Sequence, residues 1–279
     1  MARARAAEAE AAEERADKAP SGRSVGIALD LIDAFGDEVE LGVSELARRT
    51  KVAKSSVSRT CAHLVARGYL ERVGPGRFRL GMRLLELGRL VEMRTGLSST
   101  AVEILSDLAA AVRLSAHLTV HLGVPDGGDV IFVERVETSR HLRYASEPWR
   151  RSPVHRSSCG KMLAAYLPHV LEARLRAGLP ARTGYTIVVP ELLVSELERV
   201  RARGYATNVE ETEIGGGSLA VPVRNPRTRS VVAAIAIAGP TAQVVGDEAR
   251  LVDLLRLAAR RFEAAIGRGQ LVVPTSVAG

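Results

Sequence analysis

The sequence predicts an α+β protein: an N-terminal winged helix-turn-helix domain, a linker helix, and an α/β domain with an antiparallel sheet. Three observations lead there. Residues 44–80 read as two short helices joined by a tight turn, then strand, Gly-Pro-Gly turn and strand. Near residue 115 the apolar period changes from helical to alternating. A chain of 279 residues is long enough for about two domains with proper cores.

The first twenty residues alternate Ala with Arg and Glu and lack the apolar stretch of a secretory signal, so 1–22 is expected to be a disordered tail. The winged domain takes 23–80. Ser24 to Phe35 is its support helix, with Val25, Ala28, Leu29, Ile32 and Phe35 on one face. Ser44 is the expected N-cap of a helix ending at Thr50, and Lys51-Val52-Ala53 makes the turn. In the second helix, Lys54 to Arg67, the apolar positions Val57, Cys61, Leu64 and Val65 turn inward and leave Lys54, Ser55, Ser56, Ser58, Arg59 and Thr60 outward. That is the layout of a helix that enters the DNA major groove. Tyr69 to Val73 and Arg77 to Leu80, joined by Gly74-Pro75-Gly76, form the wing.

Charge points the same way. Residues 44–80 hold nine Lys or Arg against two acids, a net +7 equal to that of the whole chain. A local basic excess on such a motif is the footprint of phosphate contact. The candidate double-stranded DNA contacts are Ser44, Lys51, Lys54, Ser55, Ser56, Ser58, Arg59, Thr60, Arg77 and Arg79, with Arg59 the guanine reader.

Residues 81–97 form the linker helix. Met82, Leu85, Leu87, Leu90 and Val91 make an apolar stripe that needs a partner, which fits a linker and dimer element. The second domain takes 98–267. It opens with a helix over 101–112 and strands over 116–122 and 130–136, turned by Pro125 to Asp129. A third strand is expected over 142–145. Helices follow at 157–166, 169–176 and 191–203, strands at 205–209, 219–223 and 231–238, a closing helix at 248–266 and a loose tail from 268. Such a layered domain suits a small-molecule sensor.

Several classes of function are set aside. No run of 18 apolar residues predicts a membrane span, and two cysteines in different domains, Cys61 and Cys159, fit a reducing cytoplasm. His155 lies four residues from Cys159, but no third orienting group accompanies them, so no enzyme activity is expected. His117 and His121 share a strand face and are more simply packed than metal-bound, even with His155 or Cys159 nearby. Gly215-Gly216-Gly217 lacks the Lys-Ser/Thr of a phosphate loop, and no cofactor is expected. Ser157, Ser158, Cys159 and Gly160 open a helix, where free N–H groups and the positive dipole end hold a carboxylate. Arg143, Arg150, Arg151 or Arg156 would add charge, and Tyr144 and Trp149 are candidate aromatic walls.

At this point the chain resembles the isocitrate-lyase-regulator (IclR-type) family of transcription factors. Gly26 to Leu80 resembles its winged helix. The second domain resembles its effector domain at Pro153 to Lys161 and at Gly204-Tyr205, Glu210-Glu211, Gly215, Ser218 to Val223 and Asn225. The resemblance covers about residues 24–267 and implies a GAF-like ligand domain, dimers or tetramers, and control by a small metabolite, often a carboxylate or an aromatic. It also brings Asn208, Gly216, Ser218, Ala236 and Ala238 to the effector pocket, beside Arg143 and Tyr144. Lys51 stands where the family's turn usually begins with Gly, Asn208 where an acid is common, Ser218 where Cys is frequent and Arg224 in place of an aromatic. Ala236 and Ala238 replace hydroxyls. These departures predict a roomier, less polar pocket for an aromatic or medium-length organic acid. The expected action is that of a repressor, with an activator of the same architecture as the alternative.

Overall fold

The computed structural model describes residues 21–36, 38–95, 97–112, 118–137 and 151–273. Residues 1–20 of the expected tail, the strand over 142–145, and His117, Arg143, Tyr144, Trp149 and Arg150 lie outside the described residues, while Ser21 and Gly22, expected in the tail over 1–22, instead begin a helix. The chain divides into two compact units between Val91 and Glu92.

The first unit contains α1 (Ser21–Asp33), β1 (Leu41–Gly42), α2 (Val43–Thr50), α3 (Lys54–Ala66), β2 (Leu70–Gly74) and β3 (Arg77–Leu80). Its core joins Leu31 and Phe35 to Leu46, Val57, Cys61, Leu64, Leu70 and Phe78. Each fully buried Leu or Phe contributes about 1.5–3 kcal/mol, which is what holds so small a domain together. The inward face of α1 is rotated from the expected one: Leu31 is buried, whereas Val25 is 60% and Leu29 57% exposed. Leu31 and Phe35 lie one turn apart and reach the core first, with Ile27 and Ala28 packing behind them. Ser44 is not the N-cap. Gly42 holds that position without a side-chain bond, and Ser44 is already inside the helix. The wing also gains a strand the sequence hid, because β1 is two residues long and pairs antiparallel with β3. The turn starts at Lys51 with φ 55°, a left-handed backbone that costs a non-glycine residue roughly 1–2 kcal/mol.

α4 (Met82–Thr95) spans the boundary between the units and leaves Met82, Leu85, Leu90 and Val91 exposed. The second unit then runs α5 (Leu97–Ala111), β4 (Thr119–Asp126), β5 (Asp129–Glu137) and β6 (Arg151–Pro153). A 3-10 turn at Val154–Arg156 leads to α6 (Ser158–Tyr166), α7 (Pro168–Ala177) and α8 (Pro190–Arg203). β7 (Ala206–Val209), β8 (Gly216–Arg224), β9 (Val231–Pro240), α9 (Thr241–Gly246) and α10 (Glu248–Gly267) complete it. Six strands form one antiparallel sheet in the order β6-β5-β4-β9-β8-β7. The edge strand β6, the short α9 and the 3-10 turn were not anticipated from sequence; each is too short to show a period.

The sheet separates two cores. α5 and α10 cover one face through Leu105, Val120, Leu122, Ile235, Ile237 and Phe262. α6, α7 and α8 cover the other through Cys159, Met162, Leu163, Leu197, Ala220, Ala234 and Ala236. β9 alternates accordingly, presenting Ile235 and Ile237 to the first layer and Ala234 and Ala236 to the second. Small residues beneath α6 leave the space from which a cavity is made.

Candidate functional site

On the winged unit, Ser55, Ser58 and Arg59 stand exposed along α3 while Val57, Cys61 and Leu64 are buried. Ser56 and Thr60 are partly buried at the flank of that face. Charge is distributed less evenly than composition suggests. Glu45 takes both Arg48 and Arg49 at 2.5 and 2.7 Å, and the two guanidiniums hold its carboxyl down at about 2. Arg77 pairs with Glu40 at 3.3 Å and Arg79 with Glu71 at 2.6 Å. Such exposed pairs contribute little and exchange readily for phosphate. Lys51, Lys54 and Arg59, by contrast, make no ion pair among the described residues, and all three are exposed at the turn and the start of α3. Arg67 and Arg72, also exposed and without an ion pair among the described residues, extend that available positive charge from the start of α3 to its end and to β2.

In the second unit a cavity of about 480 Å³ opens over the α6 side of the sheet. That lies within the size range of small-molecule sites. Its head is the start of α6, where the Ser157 hydroxyl caps the helix by accepting from the Gly160 N–H at 3.1 Å. The next two N–H groups, of Ser158 and Cys159, have no acceptor within the helix. Ser158 donates its own hydroxyl to Ser218 Oγ on β8 at 2.7 Å. Arg156, Arg182 and Arg151 also line the cavity, Arg151 from the edge strand β6 and paired with Asp126. The floor is made of Ala236, Ala238 and the backbone of Gly216 and Gly217, with Phe132 and His121 at the far side.

Of the residues singled out from sequence, Ser157, Ser158, Cys159, Asn208, Gly216, Ser218, Ala236 and Ala238 all line this cavity. Gly160 does not; its role is close approach, since a Cβ there would sit 2.4 Å from the Val154 backbone. Arg224 lies elsewhere, its guanidinium 4.7 Å over the Tyr166 ring. Phe132, Ser152, Arg182, Thr183, Thr212, Glu213 and Ile214 line the cavity unannounced by sequence. Thr212 was within reach of inference, one residue beyond Glu210-Glu211; Arg182 and Thr183 sit in an irregular loop whose position no local pattern reveals.

His121 is 3% exposed, and burial, with Arg135 nearby, pushes its imidazole down to about 3, so it is neutral at physiological pH. Its Nε2 lies 2.8 Å from Thr119 Oγ1. Burial pushes the Cys159 thiol up to about 12, and its Sγ–H donates to the Ala234 carbonyl at 3.6 Å. His155 is turned away, with Nε2 on the Pro180 carbonyl at 3.1 Å. Cys159 and His155 thus form no nucleophile and base pair. No cluster of three metal-ligating side chains occurs among the described residues.

Behind the cavity lies a charged network missed from sequence. Lys161, 1% exposed, reaches Glu211 at 2.5 Å and Glu196 at 3.8 Å. Glu196 also holds Arg199 and Arg203 at 2.9 and 3.0 Å. Burial raises the Glu211 carboxyl above its ordinary value, with Lys161 opposing. The loop between β7 and β8 is fixed to this network at its cavity wall. Asn208 Oδ1 accepts from the Glu211 N–H at 2.9 Å, its amide donates to Thr212 Oγ1 at 3.2 Å, and Thr212 donates to the Arg156 carbonyl at 2.5 Å.

A winged helix with exposed cations on and around its second helix, together with a second unit that encloses a ligand-sized cavity, is the layout of a transcriptional regulator. Residues 24–74 match the IclR helix-turn-helix domain, and residues 93–264 match the C-terminal domain of the bacterial transcriptional regulator IclR. The chain belongs to the IclR family. It is 31% identical over 256 residues to the HTH-type transcriptional regulator KdgR of Dickeya chrysanthemi, covering 90% of this chain and 82% of that protein. It is 32% identical over 238 residues to XynR of Escherichia coli, covering 83% and 90% respectively. Among solved structures, an IclR regulator from Silicibacter matches with a TM-score of 0.76 at 30% identity, covering 88% of this chain and 96% of its own. An IclR homolog from Microbacterium hydrocarbonoxydans, complexed with 4-hydroxybenzoate, matches at 0.75 and 29% identity, covering 88% and 99%. These relatives are regulators rather than enzymes. No helix of the described residues is long and apolar enough to cross a membrane.

Proposed function

We propose that this protein is a repressor whose binding to a pseudo-palindromic operator is controlled by a small organic acid, aromatic in character, held in the 480 Å³ cavity. The observation that carries the reading is the cavity's polarity: the start of α6 with its N–H groups, arginines in the lining, and an apolar floor of Ala236, Ala238 and Phe132. The structural relative complexed with 4-hydroxybenzoate supports an aromatic acid. Two protomers would place their α3 helices in successive major grooves, joined through the exposed stripe of α4. The acid acts by binding one state of the dimer better than the other, a coupling of typically about 1–3 kcal/mol.

Fluorescence anisotropy on DNA from upstream of the protein's own gene, against scrambled DNA of equal length, tests this. Discriminating binding, weakened by an aromatic acid, is the expected result. Binding that the acid strengthens would make the protein an activator or co-repressed regulator, and equal binding to both probes would remove the claim of specificity. Ser218→Trp, which fills the cavity, is expected to abolish the acid response and spare operator binding.

A further inference from the structure

On the reading of the cavity as the site of an organic acid, we propose that Thr186 is the positioning residue that assembles the cavity mouth. It stands behind the lining, and its hydroxyl holds together the two loops that carry the mouth's side chains.

Two stretches of chain without regular structure bound the open side of the cavity. One, between α7 and α8, carries Arg182 and Thr183; the other, between β7 and β8, carries Thr212, Glu213 and Ile214. Arg182, Glu213 and Ile214 line the cavity and are also exposed to solvent, Ile214 by 64%, which places them at its mouth. No backbone–backbone hydrogen bond joins the two loops among the described residues. Hydroxyl groups join them instead. Thr183 Oγ1 donates to the Glu210 carbonyl and Thr186 Oγ1 to the Glu211 carbonyl, both at 2.7 Å.

Thr186, itself buried, is the hub of this junction. A hydroxyl has one proton and two lone pairs, and that of Thr186 uses all three. A carbonyl can only accept, so the proton goes to Glu211; the lone pairs accept from the Arg182 and Thr183 N–H groups, each at 3.0 Å. One oxygen thus fixes the backbone of both lining residues of its own loop and the carbonyl that precedes Thr212. Glu211 is a firm post for this tie, since Lys161 on α6 holds its carboxylate and Asn208 Oδ1 its N–H. Valine has nearly the shape of threonine and can neither donate nor accept, so it would leave two N–H groups and the carbonyl of a buried residue unmatched. Such groups recover their hydrogen bonds by reaching water, which here means that the two loops part at the mouth.

Calorimetric titration of the full chain with benzoate and with hexanoate tests the role of Thr186, the tighter-bound of the two serving as probe. Thr186→Val is expected to weaken the probe about tenfold or more, and Thr186→Ser to stay within about threefold of wild type, because serine keeps the hydroxyl. Thr186→Val within about threefold of wild type would overturn the proposal. So would Thr186→Ser as weak as Thr186→Val, since the methyl group rather than the hydroxyl would then matter. A lower stoichiometry with an unchanged Kd in Thr186→Val would overturn it too, because a merely structural residue alters the folded fraction and not the affinity. Should Thr186→Val fail to fold, amide hydrogen exchange on the wild type decides. The probe is expected to slow exchange in residues 182–186 and 210–216 together, and slowing confined to one loop would overturn the tie. Wild type that binds neither acid would overturn the acid site and the proposal with it, whereas the other adverse outcomes leave that site standing.

Discussion

Arg59 is the residue on which the proposed sequence recognition turns. It is exposed on α3 with no carboxylate to divert it among the described residues, unlike Arg48, Arg49, Arg77 and Arg79. Arg59→Ala is expected to lose about 1–3 kcal/mol of operator preference while retaining most non-specific affinity; anisotropy with specific and scrambled probes measures both. Lys161 is the counterpart in the sensor unit. Lys161→Met strands the buried carboxylate of Glu211, while Glu196 keeps Arg199 and Arg203, and should cost about 3–5 kcal/mol in urea unfolding. Adding Glu211→Leu to it should recover part of that loss. His121 makes stability depend on pH. Its folded value, about 3, lies below the ordinary 6.5, so the unfolded chain takes up a proton first as pH falls. Its contribution is complete above pH 6.5 and declines toward pH 3, by at most about 1.4 kcal/mol per pH unit. Between pH 7 and pH 5 the urea midpoint of His121→Phe should fall less than that of the wild type.

The decisive element is α6. Its start is held against the 3-10 turn by a glycine with no room for a side chain, and against β8 by the Ser158–Ser218 bond. Gly160→Ala would bring a methyl to 2.4 Å from the Val154 Cα and to 2.7 Å from the capping Ser157 oxygen. The helix must shift, at a cost of about 1–3 kcal/mol, and the N–H groups proposed to hold the carboxylate shift with it. Thermal melts should show the loss, and the acid response in the DNA assay should weaken more than the melt alone implies. β9 is the complementary element, because its alternation of Ile and Ala is what makes one face a packed core and the other a cavity floor.

At the scale of the whole molecule, operator binding is expected to fall steeply with salt, with roughly 6–10 phosphate contacts per dimer and a log–log slope of about −5 to −9. A slope near zero across about 50–200 mM salt would contradict a phosphate-contacting dimer. Much of this architecture was legible in the sequence. The two helices and wing of residues 44–80 announce themselves by period and turn chemistry, which are local properties. Ser157 to Gly160 signalled a capped helix start because helix N-terminal chemistry is also local. The inward face of the support helix was not legible, since helical spacing gives a stripe's period but not which edge of a broad stripe meets the core. The Lys161–Glu211–Glu196 network, the sealing of Cys159 and His155, and the cavity's partners at Arg182 and Thr212 join residues far apart in the chain. Sequence alone thus determined the winged fold and the class of regulator, because those depend on periodicity and motif spacing. Only the tertiary structure decided which charges are free, which loops meet at the cavity mouth and what paves the cavity, because these depend on distances between residues remote in the chain.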